Sequence, residues 1–167
     1  GGKKLLSSEN CPALGGVDKL AEVERHGKMQ PRIKISENFW KITNPGYKKV
    51  VRIYDGATEK AIADWIRLDH EQIDVSRPLT IFDPVETWKR MTISNYYIKE
   101  LLVPIFQGGK QVYESPGMMA SRDYAKKDLD TFWAEYRRPY RPHIYKVDLS
   151  QELFDLKHEL LGESARH

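Results

Sequence analysis

The tripeptide Asn44-Pro45-Gly46, set between two stretches of alternating side chains, is the feature that most narrows what this chain can become. Proline presets φ at the second position of a turn and glycine accepts the positive φ of the third, so the chain reverses here. Upstream, Arg32-Ile33-Lys34-Ile35 alternates with period two and reads as a strand. Residues 36–38, Ser-Glu-Asn, break it because such side chains compete for nearby backbone groups. Downstream, residues 49–54 alternate again, Asp55-Gly56 turns the chain back, and residues 61–68 repeat the pattern with Ile62, Ile66 and Leu68 on one face. This is the grammar of an antiparallel sheet.

Short strands and turns continue in both directions. Residues 19–24 form a strand that His26-Gly27-Lys28 turns into the one ending at Ile35. Residues 69–78 are polar and read as a surface loop, and 79–82 as a short strand ended by Asp83-Pro84. Residues 87–93 and 97–106 are further strands rich in Trp, Tyr, Ile and Val, with Pro104 placing the second at an edge or bulge. Gln107-Gly108-Gly109-Lys110 is a hairpin turn. The character changes at Ser115-Pro116, a serine N-cap with proline at the first helical position. Ala125, Leu129, Phe132, Trp133 and Tyr136 then recur at helical spacing, predicting one amphipathic helix from Pro116 to about Arg138, stopped by Pro139 and Pro142. Residues 144–147 form a short strand, and Asp148 or Ser150 caps a last helix whose face is Leu149, Leu153, Leu156 and Leu160, ending at Gly162. The expected class is α+β: an antiparallel β-rich module with two C-terminal amphipathic helices.

Charge excludes some partners. The 27 basic and 24 acidic side chains are interleaved and leave only +3, a solvated surface rather than a polyanion-binding one. No apolar run approaches the ~20 residues of a membrane span. With the single Cys11 excluding an intrachain disulfide, the expectation is a soluble, cytoplasmic chain in a reducing compartment. Opening on Gly1-Gly2 rather than methionine, the sequence reads as a fragment of a longer polypeptide.

Candidate chemistry is sparse. The five histidines, His26, His70, His143, His158 and His167, lack an i, i+4 pair or a cysteine neighbour, so no metal site is expected. Cys11 has no close basic partner and reads as a structural thiol. Asp83 and Glu86 could pair as carboxylates, but beside Pro84 in a turn the solvated reading is favoured. Gly15-Gly16 offers either a phosphate cradle or a tight backbone approach, the second being favoured. Gly1-Gly2-Lys3-Lys4 offers either backbone N–H groups and positive charge for a phosphate or simply a frayed N-terminus or tag remnant, the second being favoured on the residues alone. Residues 136–146, Tyr-Arg-Arg-Pro-Tyr-Arg-Pro-His-Ile-Tyr-Lys, combine arginine with tyrosine as single-stranded nucleic-acid sites do. They equally suit a helix end with cations opposing the dipole, and without a supporting basic stripe nucleic acid is not expected.

Around the Pro-Gly turn the residues spell K-x-S-x-x-x-x-K-x-x-x-P-G-x-K-x-x-x-R, from Lys34 through Lys41 and Lys48 to Arg52. With Leu14-Gly15-Gly16-Val17-Asp18-Lys19-Leu20, Leu102-Val103-Pro104-Ile105-Phe106, Tyr113-Glu114-Ser115-Pro116 and the closing run from Arg141 to Ser150, this resembles the C-terminal part of a nicotinate phosphoribosyltransferase over nearly the whole chain. The resemblance implies that residues 1–30 are the last strands of a truncated α/β phosphoribosyltransferase barrel and residues 31–167 an appended C-terminal domain. Gly2-Lys3-Lys4-Leu5 sits where the family has a G-T-K-L-like loop, so Gly2, Lys3 and Lys4 would bind a substrate or product phosphate. Lys3 replaces the family's threonine, and Asp18 stands where tyrosine is usual.

The resemblance further implies an enzyme that joins nicotinate to phosphoribosyl pyrophosphate (PRPP), with Mg²⁺ and coupled ATP hydrolysis, in NAD salvage, and that works as a homodimer. It implies no catalytic residue and no bound cofactor in this segment, which alone would be inactive. A non-catalytic interaction or dimerisation module is the alternative, and a single-stranded nucleic-acid binder a more distant one.

Overall fold

Two eight-residue strands, β3 (Lys48–Asp55) and β4 (Ala61–Leu68), form the centre of the fold. The computed structural model describes residues 18–38 and 41–164. The strands pair antiparallel from Lys48↔Leu68 to Tyr54↔Ala61, with a bulge at Ile53/Tyr54. They meet through the expected Asp55-Gly56 turn, where Asp55 Oδ1 accepts the N–H groups of Ala57 and Thr58. Ahead of β3, Gly46 has φ +82, and a Cβ there would lie 2.7 Å from Leu68 Cδ2. Glycine takes that turn without the strain any side chain would add.

β7 (Tyr96–Glu100) adds antiparallel to β3, and β10 (Val147–Leu149) adds parallel to β4, giving a four-stranded sheet in the order β10-β4-β3-β7. Its alternation sorts residues between two faces. On one face Val51, Ile53, Ala63 and Trp65 pack with Tyr96 against Ile81 and Ile93. The last two come from the hairpin of β5 (Leu79–Phe82) and β6 (Arg90–Ile93). At the β4–β10 corner, Leu68 and Leu149 receive Leu153, which is fully buried, with Ile66, Phe154 and Leu156 around them. Leu153 belongs to the last helix, Gln151–Ser164. Ser150 caps that helix: its Oγ accepts the Leu153 N–H at 3.1 Å.

β1 (Glu22–Arg25) and β2 (Lys28–Pro31) form a separate hairpin through His26 and Gly27, both at positive φ. The expected strand 32–35 is therefore displaced: pairing ends at Pro31, and Lys34 is instead held by Thr43, whose Oγ1 accepts its N–H at 2.7 Å. β8 (Phe106–Gln107) and β9 (Lys110–Gln111) form a small hairpin that pairs only with itself among the described residues. β7 ends before Pro104, so the strand expected over 97–106 is two pieces with an irregular connection.

The helix predicted from 116 to 138 is also two. Helix α1 (Met118–Asp130) starts after Gly117, not Ser115, and buries none of its residues. It ends because the Thr131 N–H and Oγ1 both turn back to Asp128 O, while Thr131 O accepts the Ala61 N–H at the start of β4. A single turn, α2 (Ala134–Arg137), follows, and the last helix is α3 (Gln151–Ser164). The strand expected over 144–147 is β10, three residues further along.

Candidate functional site

Arg52 stands mid-strand in β3, directly across from Asp64 of β4. The guanidinium forks onto that carboxylate, Nε donating to Oδ1 at 2.7 Å and Nη2 to Oδ2 at 3.1 Å. Its Nη1 donates to Asp128 Oδ2 near the end of α1, at 2.7 Å. Tyr145, just ahead of β10, donates its hydroxyl to Asp64 Oδ1 at 3.1 Å. Phe132 closes the group, with the Arg52 guanidinium 4.6 Å from its ring centre. The Arg52 side chain is only 11% exposed, so its charge depends on these partners rather than on water.

The electrostatics follow from that enclosure. The hydrogen bond to Asp64 is the main cause holding the Arg52 pKa above its already high value. Burial, and then the Asp64 charge, push the Tyr145 hydroxyl well above the usual phenol range. Tyr145 therefore stays protonated and acts as a donor. The cluster is a clamp joining β3, β4, α1 and the segment before β10.

A second group is centred on β10 itself. Asp148 is 1% exposed, and its Oδ2 has no hydrogen bond among the described residues, only the Lys146 ammonium at 3.5 Å. Burial raises its pKa to about 6 against the opposing pull of Lys146, and the Asp83 charge adds to the rise. These side chains border a recess of about 350 Å³, with Tyr145 and Lys89 on its other walls. A groove of about 570 Å³ runs between the β1–β2 hairpin and α3, with Leu68 and Leu156 inside and Glu22, Glu152 and Glu159 on its walls.

Several residues singled out in the sequence have structural roles. Asp83 accepts the Val85 and Glu86 N–H groups, each at 2.8 Å, which depresses its pKa, while Glu86 pairs with Lys89. Asp83 is a turn cap, not half of a carboxylate pair. His70 bonds Glu152 at 2.7 Å, and His158 bonds the Phe154 carbonyl at 2.8 Å. No group of three or more His, Cys, Asp or Glu among the described residues is placed to hold a metal ion. Within 136–146, Tyr136 and Tyr145 pack edge to face with their ring centres 5.3 Å apart, and Arg137 pairs with Asp130. Tyr140 stays exposed. Gly2, Lys3, Lys4, Cys11, Gly15, Gly16 and His167 lie outside the described residues.

The clamp was not anticipated from the sequence. The Asp55-Gly56 turn sets the register and could have paired Arg52 with Asp64. Asp128, 76 positions from Arg52, carries no comparable local signal.

Comparison with known proteins places the chain. A family model described as the nicotinate phosphoribosyltransferase C-terminal domain matches residues 47–157. The chain is 38% identical over 162 residues to the nicotinate phosphoribosyltransferase of Bacillus subtilis, covering 97% of this chain and 33% of that protein. To the Homo sapiens protein of the same name it is 29% identical over 160 residues, covering 95% of this chain and 29% of that one. The crystal structure of human nicotinic acid phosphoribosyltransferase superposes with a TM-score of 0.67 at 26% identity, over 79% of this chain and 25% of that chain. The chain thus spans about a third of the length of the curated relatives it matches.

Proposed function

The chain belongs to the nicotinate phosphoribosyltransferase family, and on that premise we propose that it is the C-terminal segment of an enzyme of that activity. The observation that carries this reading is an alignment running through 97% of the chain yet falling on only 33% of the Bacillus subtilis protein. The whole enzyme would transfer a phosphoribosyl group from PRPP to nicotinate, giving nicotinate mononucleotide and pyrophosphate, coupled to ATP hydrolysis and feeding NAD salvage. Residues 31–167 would be its C-terminal domain and 1–30 the last part of its catalytic barrel, in a homodimer located in the cytoplasm.

Bond breaking at the ribose carbon builds positive charge that must be held against the nicotinate nitrogen, so catalysis rests on positioning and electrostatics. In this chain Gly2, Lys3 and Lys4 would supply one wall of the phosphate site, with lysine acting there as a point charge. Mg²⁺, when bound, would neutralise pyrophosphate charge. The described residues contain no cluster fitted to it. The Arg52 clamp would keep the C-terminal domain rigid.

Supplied with nicotinate, PRPP and Mg-ATP, the purified chain is expected to form no nicotinate mononucleotide. Turnover by the chain alone would overturn its assignment as a segment without catalytic residues. The exposed Phe106 and Met118 also favour a second reading, an interaction module, and the two are compatible.

A further inference from the structure

The β8–β9 hairpin and helix α1 lack what keeps such elements folded in water. A hairpin of two residues per strand is at best marginal without a packed face, and so is an isolated helix shorter than about 12–15 residues. α1 has 13 residues and buries none. Its links to the sheet are polar: Asp128 to Arg52 at 2.7 Å and to Lys99 at 3.9 Å, with Tyr124 accepting from Lys99 at 3.0 Å. Along the same stretch Leu102, Val103, Phe106, Val112, Met118 and Met119 are exposed, Phe106 at 67% and Met118 at 83%. Single exposed apolar residues are ordinary, but eight within 18 positions, Ile105 and Tyr113 included, on elements with no core of their own, mark a surface that something covers.

We propose that residues 101–130 form a docking surface for the catalytic two thirds of the family's polypeptide, the part to which these residues do not align. Length supports this occupant. The chain aligns almost end to end, at 97%, with a protein of which the alignment covers 33%, so about two thirds of that protein's residues have no counterpart here. Contacts between domains of one polypeptide are where such apolar surface is normally covered. The polar links of α1 hold it in place while its exposed side remains free to pack. The inference rests on the functional reading above and extends it to a particular surface.

Hydrogen–deuterium exchange tests it on two proteins. One is this chain; the other is the Bacillus subtilis enzyme with its matching third replaced by this chain. Amides in 101–113 and 118–130 are expected to exchange fast in the chain alone and at least about tenfold more slowly in the joined polypeptide. Slow exchange already present in the chain alone, constant or rising with concentration, would assign the cover to the chain itself or to a second copy and overturn the proposal. A joined polypeptide that makes nicotinate mononucleotide yet leaves these amides fast overturns the docking and spares the functional reading. One that slows them but makes no product retains the docking and overturns that reading. As a second measure, Phe106→Ser with Met118→Ser should leave the melting midpoint of the chain unchanged and lower that of the joined polypeptide. Equal effects on both would contradict the proposal.

Discussion

Arg52 and Asp128 lie 76 positions apart and meet at 2.7 Å, joining the centre of the sheet to a helix that otherwise buries nothing against it. The same guanidinium grips Asp64, so one side chain is the main charge partner of two carboxylates.

Arg52→Met should destabilise the chain by about 3–5 kcal/mol, the usual cost of leaving buried partners of a charge unpaired. Asp128→Asn should cost less, because Asp64 keeps its arginine. Urea unfolding measures both. An Arg52→Met variant within about 1 kcal/mol of the parent would show that the clamp contributes little.

Gly46→Ala should cost about 1–3 kcal/mol, since φ +82 is strained for any side chain and the new methyl would meet Leu68 Cδ2 at 2.7 Å. Gly109→Ala also sits at positive φ but meets nothing within 4 Å, so it should cost less. Thermal melts of the two variants compare them, and equal losses would remove the steric part of the explanation.

Leu153→Ala should cost about 2–5 kcal/mol, because the lost side chain leaves a hole between Leu68 and Leu149. Leu129→Ala, on the exposed side of α1, should stay within about 0.5 kcal/mol in the chain alone. Denaturant midpoints will separate them.

Asp148 makes stability depend on pH in a stated direction. Its folded pKa, about 6, exceeds the ordinary aspartate value of 3.8, so the folded state holds the proton more tightly. Its contribution is fully present below pH 4 and is lost as pH rises through 6, by on the order of 2–3 kcal/mol. Asp148→Asn removes that loss. Measured from pH 4 to 7.5, stability of the parent relative to Asp148→Asn should fall as pH rises; a flat or rising difference would exclude the assignment.

The sequence was legible where local chemistry settles the outcome. Alternation and the Asp55-Gly56 turn gave β4 at 61–68, and Asp83-Pro84 closed β5 at 82. Elements fixed by distant partners were not. The helix expected over 116–138 breaks because Thr131 O is taken by the Ala61 N–H, a contact across 70 positions. β10 starts at Val147 because its register is set by Asp64, Trp65 and Ile66. At the candidate site, Arg52 stood out as the last cation of its motif, but its partner on α1 and the burial of Asp148 come only with the fold. Gly2, Lys3 and Lys4 fall outside the described residues.

Lys3→Ala with Lys4→Ala, placed in the joined polypeptide, should raise KM for PRPP while leaving KM for nicotinate near its parent value. Unchanged KM for both substrates would remove the phosphate role of these residues. Initial rates at varied PRPP supply the comparison.

The decisive test is product formation by the joined polypeptide, with nicotinate mononucleotide quantified against the intact Bacillus subtilis enzyme and against this chain alone. A C-terminal segment of the family should restore product formation in the joined protein and give none by itself. A joined protein that is folded, binds PRPP and forms no nicotinate mononucleotide would show that this chain does not serve as that enzyme's C-terminal third.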